Sequence, residues 1–246
     1  MPNEQSVKYQ AALLGDFSKV LPTEDIIKSC IGSFFGLGLL PNGNNQEFDQ
    51  RTNKLEPRLG LQSMRNGIQV NFLAGRADII VSPLPGSPSA TLTLETFLEQ
   101  AQEITKIILE LFQPKINRLG FVHEKFCEPM TKERLEVLRK KFISPGMDIF
   151  TDNPMSEWNV RTCSLVEFGG VVNQPVNLIH ALNRVKVQQA DPTGFKEYDS
   201  IHVMIDVNTG AEREIACSPD LIQDFFSQAL AQERTVNKRL SEVIYG

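Results

Sequence analysis

Cysteine is scarce in this chain and widely spread. Four residues, Cys30, Cys127, Cys163 and Cys217, occur among 246, and no two form a CxxC pair. Zinc frames and dithiol redox motifs bring cysteines close together, so neither chemistry is indicated. Scattered thiols in a chain long enough to bury its own core fit a reducing, cytoplasmic compartment. A basic excess is also missing: 25 Lys and Arg face 30 Asp and Glu, a net charge of −5. Proteins that grip duplex nucleic acid draw much of their affinity from neutralised phosphates. The balance does not ask for that partner, although a local basic face would be hidden in a net figure. No apolar run approaches the ~18 residues of a membrane span. The polar opening Met-Pro-Asn-Glu-Gln lacks the basic start and apolar run of a secretory leader. No membrane association is expected.

The usual catalytic frames are absent as well. There is no GxSxG elbow and no P-loop pattern. Ser33 falls within a predicted helix and Ser87 in a proline-rich connector, where no rigid base can be held beside it. The cluster Gly32-x₃-Gly36-x-Gly38 follows a helix instead of opening one, which suits a C-cap and not a phosphate site. Asp206-Val-Asn208-Thr-Gly210 begins like a calcium loop, but position 216 is Ala where the bidentate Glu belongs. His123, His180 and His202 all fall in predicted strands, and with Cys127 and Cys163 they match no ligand spacing. They read as buried or hydrogen-bonded strand histidines. No metal and no cofactor are expected, and the chain reads more as a non-enzyme than as an enzyme.

What is present is pattern. Val7–Leu14 reads as a strand. Thr23 starts a helix whose apolar stripe includes Ile26, Ile27, Cys30, Ile31 and Phe34. The asparagine-rich segment 41–54 shows no periodicity and reads as an exposed loop. Alternation then marks three strands, with a two-residue hairpin turn expected at Asn66-Gly67 and a second turn at Gly75-Arg76. The proline- and serine-rich stretch 82–90 leads to a long amphipathic helix, 94–113, stopped by Pro114. The same order restarts: a strand at 116–126, a helix capped by Thr131, strands at 158–168, 176–187 and 200–207, and a final helix opened by Ser218-Pro219-Asp220. A further turn is expected at Pro145-Gly146 and the Thr-Asp-Asn-Pro that follows.

The fold class is therefore α+β: two tandem β-α-β-β-β-α units, residues 1–114 and 115–246, forming a mainly antiparallel sheet with helices on one face. A meander is apolar on one side and needs one covering layer. Two units joined edge to edge would shield strand edges and leave the other sheet face free.

Four residues are candidates for that free face. Trp158 begins a strand, Arg161 follows it, and Arg184 and Lys186 alternate with valines on the next strand. Tryptophan and arginine are enriched at interaction hot spots. If the strands pair, Arg161 and Arg184 are expected to share the uncovered face. The plainer alternative buries Trp158 in the core and leaves the arginines solvated. The run Lys132–Lys141, with five basic residues against two acids, reads as a solvated helix face.

The second half, in SEWNVRTCSLVEF, IDVNTG and the helix DFFSQALAQERTVNKRLSEVIYG, resembles a sporadically distributed, uncharacterised bacterial protein family of about this length with no assigned activity. The resemblance implies a bacterial cytoplasmic protein and carries over no catalytic residue. The expected function is non-enzymatic: a prokaryotic binding or regulatory protein acting through protein–protein interaction, of antitoxin or defence-associated type. Homo-oligomerisation is compatible with it. Two other readings are kept: a nucleic-acid binder using a concave sheet face, and an enzyme or small-ligand binder with a cleft between the two units, which His123, His202 or buried carboxylates would line.

Overall fold

Apolar and polar residues alternate over 116–126, and the strand this predicts lies near the middle of the sheet. In the computed structural model this strand is β6 (Ile116–Phe126). It pairs antiparallel with β1 (Gln5–Gly15) on one side and with β9 (Gly194–Thr209) on the other. The structure describes residues 4–50, 52–84, 86–143, 156–191, 194–210 and 217–246. The turn expected at Pro145-Gly146 and Thr151–Pro154 lies outside them.

Among the described residues the protein is mixed α+β, with four α-helices and one antiparallel sheet of nine strands. The sheet order is β2-β3-β4-β5-β1-β6-β9-β8-β7. The remaining strands are β2 (Leu39–Asp49), β3 (Lys54–Ser63), β4 (Gln69–Leu73), β5 (Arg76–Val81), β7 (Asn159–Phe168) and β8 (Gln174–Asp191). The helices are α1 (Glu24–Phe34), α2 (Leu94–Phe112), α3 (Lys132–Phe142) and α4 (Pro219–Tyr245).

Helix starts follow their chemistry. The Thr93, Thr131 and Ser218 side chains accept from the backbone N–H groups of Thr96, Arg134 and Leu221. Each satisfies an amide that the first helical turn leaves orphaned. At Thr23 the backbone has the cap conformation but the side chain makes no such bond.

Period-2 alternation decides which side chains meet the helices. Tyr9, Ala11 and Leu13 of β1, Leu119, Phe121 and His123 of β6, and Ile201, Val203 and Ile205 of β9 are all buried. They share one face, fixed by the register pairs Tyr9–His123 and His123–Ile205. The Phe97 ring of α2 lies 5.6 Å from that of Tyr9, and Phe112 lies 5.4 Å from Phe72 of β4. Phe225 of α4 lies 6.0 Å from Phe168 of β7. Helix α3 is tied to α4, because Arg134 and Lys141 donate to the carbonyls of Ile244 and Val243. The basic run is thus partly a cap on the last turn of α4, where cations are favoured, and not only a solvated face. Within the same run, Arg139 is buried and grips Glu136.

Three local expectations are corrected. Segment 41–54 is mostly strand, since β2 pairs with β3 on both sides of a register shift. The shift, between Asn42 and Asn45, breaks its periodicity, and its asparagines lie over Gly60, where an added Cβ would meet the side chains of Asn42 and Asn45. The hairpin at Asn66-Gly67 is a four-residue loop: Ser63 N–H donates to Ile68 O, and Gly67 N–H to Ser63 O. Only Gly67 there has positive φ, at 73°, so a two-residue turn needing two such positions does not form. Finally, the strand expected at 200–207 is longer, running from Gly194 to Thr209; Thr209 Oγ1 accepts from Leu119 N–H at 2.9 Å.

Candidate functional site

Two regions hold groups suited to recognition or chemistry. The first is the sheet face away from the helices, with the edge strand β7. Polar side chains cross this face in rows. Lys8 Nζ lies 3.1 Å from Glu124 Oε1, and Glu124 Oε2 lies 3.0 Å from His202 Nε2. His202 Nδ1 meets the Asn183 amide at 3.3 Å, and Asn183 accepts from Asn159. One chain of contacts therefore spans β1, β6, β9, β8 and β7. The hydrogen bond from His202, helped by Lys8, holds the Glu124 carboxyl down at about 2. On the first half of the face, Gln10 donates to the buried Asp78 at 2.8 Å, and Asp78 pairs with Arg76 at 2.7 Å. Burial is the larger influence on Asp78 and raises its pKa.

The four sequence candidates do not converge as expected. Arg161 pairs in register with Ala181, whereas Arg184 pairs with Ile201, a core residue. An odd offset of three between 181 and 184 puts the two arginines on opposite faces. Arg161 is exposed on the open face. Arg184 lies on the helix-side face, with Nη2 3.4 Å from Asp199 Oδ1, and its N–H donates to Trp158 O at 3.0 Å. Trp158 is 7% exposed and packs beside Phe142, as in the plainer alternative. Lys186 is solvated and pairs with Glu197 at 3.1 Å.

The second region lies where the two halves of the sheet meet. A cavity of about 680 Å³ is lined by Glu4, Ser6, Tyr9 and Leu92 from the first half and by Cys127 and Tyr198 from the second. Its wall is made by an irregularity of β1. Ser6 pairs with Lys125 and Lys8 with Glu124, so Val7 is an extra residue in the ladder. Such a bulge re-aims side chains; here it turns Ser6 onto the face that carries Tyr9 and His123. Strand β5 stops at Val81, opposite Tyr9, so residues 5–8 have a strand partner on one side only.

Behind Ser6 lies a buried polar chain. Ser6 Oγ is 3.0 Å from His123 Nε2, and His123 Nδ1 is 2.6 Å from Glu233 Oε1. His123 and Glu233 are 6% and 3% exposed. Asn237 donates to the same Glu233 oxygen. A buried carboxylate is held this way only if its partners are in place. Tyr9 closes the group: its ring is 5.2 Å from that of His123, and burial raises its pKa. Lys125, also buried, pairs with Glu4 at 2.5 Å.

Ser6 and Glu233 carry no sequence motif. One signal was available: the buried stripe of α4 runs Ile222, Phe226, Ala229, Val236, and Glu233 occupies a stripe position in it. An acid there demands a buried partner. Among the described residues no group of three His, Cys, Asp or Glu stands close enough to hold a metal ion, and no helix is long and apolar enough to cross a membrane. Comparison of the chain with protein-family models, curated proteins and solved structures finds no match.

Proposed function

We propose that the protein works by binding another protein, which adds an extended segment to the free edge of β7 and covers the adjoining open face. The observation that carries this reading is the state of β7. It is ten residues long, ends the sheet among the described residues, and is exposed along most of its length. Leu165 on its open face is 72% exposed. Natural edge strands are normally blunted by charge, proline or bulges. β7 has only Arg161 and Glu167 as charged residues, no proline and no register shift against β8. Strand addition takes its affinity from main-chain hydrogen bonds and its specificity from alternate side chains. Arg161, Cys163 and Leu165 are those alternate side chains here.

Charge favours a protein over duplex nucleic acid. Lys8, Arg58 and Arg76 on the open face are each already paired with carboxylates, Glu124, Glu47 with Glu56, and Asp78. Few cations remain for phosphates. An antitoxin-like or defence-associated regulator in a bacterial cytoplasm is the class that this reading and the sequence resemblance together favour.

The element order supports descent from two tandem copies, residues 1–114 and 115–246. Both halves run strand, helix, meander, helix, and each places its first strand at the centre and its last meander strand beside it. The first half adds β2 to the pattern.

Affinity capture from a bacterial cytoplasmic extract, followed by sedimentation of the purified complex, tests the binding reading. Arg161→Glu with Leu165→Asp should abolish the complex while leaving the free fold intact. A complex that survives this double change would defeat it. Dimers of the purified chain that the same change dissolves would replace the foreign partner by a second copy.

A further inference from the structure

We infer that Ser6, His123 and Glu233 form an acyl-transfer site in the cavity between the two halves, with Ser6 as nucleophile, His123 as general base and Glu233 as the residue that positions the imidazole. This goes beyond the binding reading and is independent of it. The cavity lies on the helix side of the sheet, and none of the β7 residues lines it.

The geometry has the three parts that nucleophilic catalysis by serine requires. Nucleophile and base are at hydrogen-bonding distance, 3.0 Å. The base is held from behind by a carboxylate at 2.6 Å. The Nδ1–H bond to Glu233 leaves Nε2 as an acceptor, the tautomer needed to take a proton from Ser6. Base and carboxylate are buried, while Ser6 lines an open cavity of about 680 Å³, a volume in the range of small-molecule sites. The chain order, serine, histidine, glutamate, carries no mechanistic weight, since such sites are defined by geometry.

A buried histidine–glutamate pair alone would serve the core. Three features exceed that need. The bulge at Val7 spends one ladder pairing to turn Ser6 toward His123. The Tyr9 ring packs 5.2 Å from that of His123 and lines the cavity beside Ser6. Lys125, across the ladder from Ser6, brings a buried cation to the same spot. Tyr9, which lines the cavity with Ser6, is the donor placed to meet negative charge developing on a substrate oxygen.

The chemistry balances with water as the only co-reactant. Ser6 Oγ bonds to the carbonyl carbon of a small acyl ester or thioester, the carbonyl π pair moves to oxygen, and the hydroxyl proton passes to His123 Nε2. Collapse breaks the bond to the leaving group, which takes that proton. Water then attacks the acyl-serine, gives its proton to His123, and the proton returns to Ser6 as the acid departs.

The test is covalent labelling of the full chain with a fluorophosphonate, read by intact mass and peptide mapping. One adduct, on Ser6, is expected; it vanishes in Ser6→Ala and forms about 100-fold more slowly in His123→Gln, the size of a general-base contribution. Glu233→Gln should slow labelling and change its pH profile, which a packing role would not do. Because the buried variants threaten folding, Ser6→Cys gives a second reading that leaves the pair intact. Iodoacetamide should modify the thiol introduced at position 6 faster than the exposed Cys163. No adduct on the folded wild type, an adduct elsewhere, or a position-6 thiol no faster than Cys163 would overturn the assignment.

Discussion

His202 and Glu124 meet across the β6–β9 ladder, Nε2 to Oε2 3.0 Å, on the sheet face opposite Tyr9 and His123. Lys8 holds the other carboxylate oxygen. Together they lower the Glu124 carboxyl to about 2 from 4.5. A depressed carboxyl contributes stability that is complete above its unfolded value and lost as pH falls toward the folded one. Glu124→Gln should therefore cost roughly 1–2 kcal/mol near neutrality, once solvent screening is allowed for. The cost should shrink as pH falls from 4.5 toward 2. Urea titrations of both proteins at several pH values measure this.

His180 predicts a second pH effect with a different window. It sits on the helix-side face of β8, its Nε2 is buried without a partner, and burial lowers its pKa from 6.5. The folded protein resists the proton that the unfolded chain accepts. Its contribution is thus intact above 6.5 and is lost as pH falls below that value. His180→Gln should flatten the fall in urea midpoint between neutral and mildly acidic buffer. An unchanged slope would show that the ring is solvated.

Gly60 marks a place where the backbone must be bare. Asn45 reaches across it to donate to Asn71 Oδ1 at 2.7 Å. Gly60→Ala should push Asn42 and Asn45 off β3 and cost about 1–3 kcal/mol, as overpacking usually does. Chemical denaturation checks the value, and Asn45→Ala in the same background should recover part of it.

Thiol reactivity should divide sharply. Cys163 is exposed, whereas burial raises Cys30, Cys127 and Cys217 to about 11. Thiolate is the reactive form, so an aromatic disulfide reagent should consume one thiol per chain quickly and three only on unfolding. Two fast thiols would mean that the region around Cys217 or Cys127 opens readily.

Much of this architecture was legible from pattern. β6 and the starts of α3 and α4 fall where alternation and capping residues place them, because both signals are local. β2 was not legible, since an asparagine-rich edge strand with a bulge offers neither alternation nor β-branched residues. The outer arms of β8 and β9, such as Gln188 with Glu197, are polar on both faces and give no period either. The separation of Arg161 from Arg184 depends on register, which pairing partners decide and sequence does not. Ser6 and His123 are 117 positions apart and Glu233 a further 110. Only the closure of β1 on β6 brings them together, and no local spacing announces it.

The central claim is that β7 is an open edge, ready for a partner strand. Amide hydrogen exchange on the isolated chain tests it most directly. Amides of β1, β6 and β9 should be the slowest, while those of β7 that point away from β8 should exchange almost as freely as unfolded backbone. Protection along both sides of β7 as strong as in β9 would contradict the claim, because the edge would then already be covered.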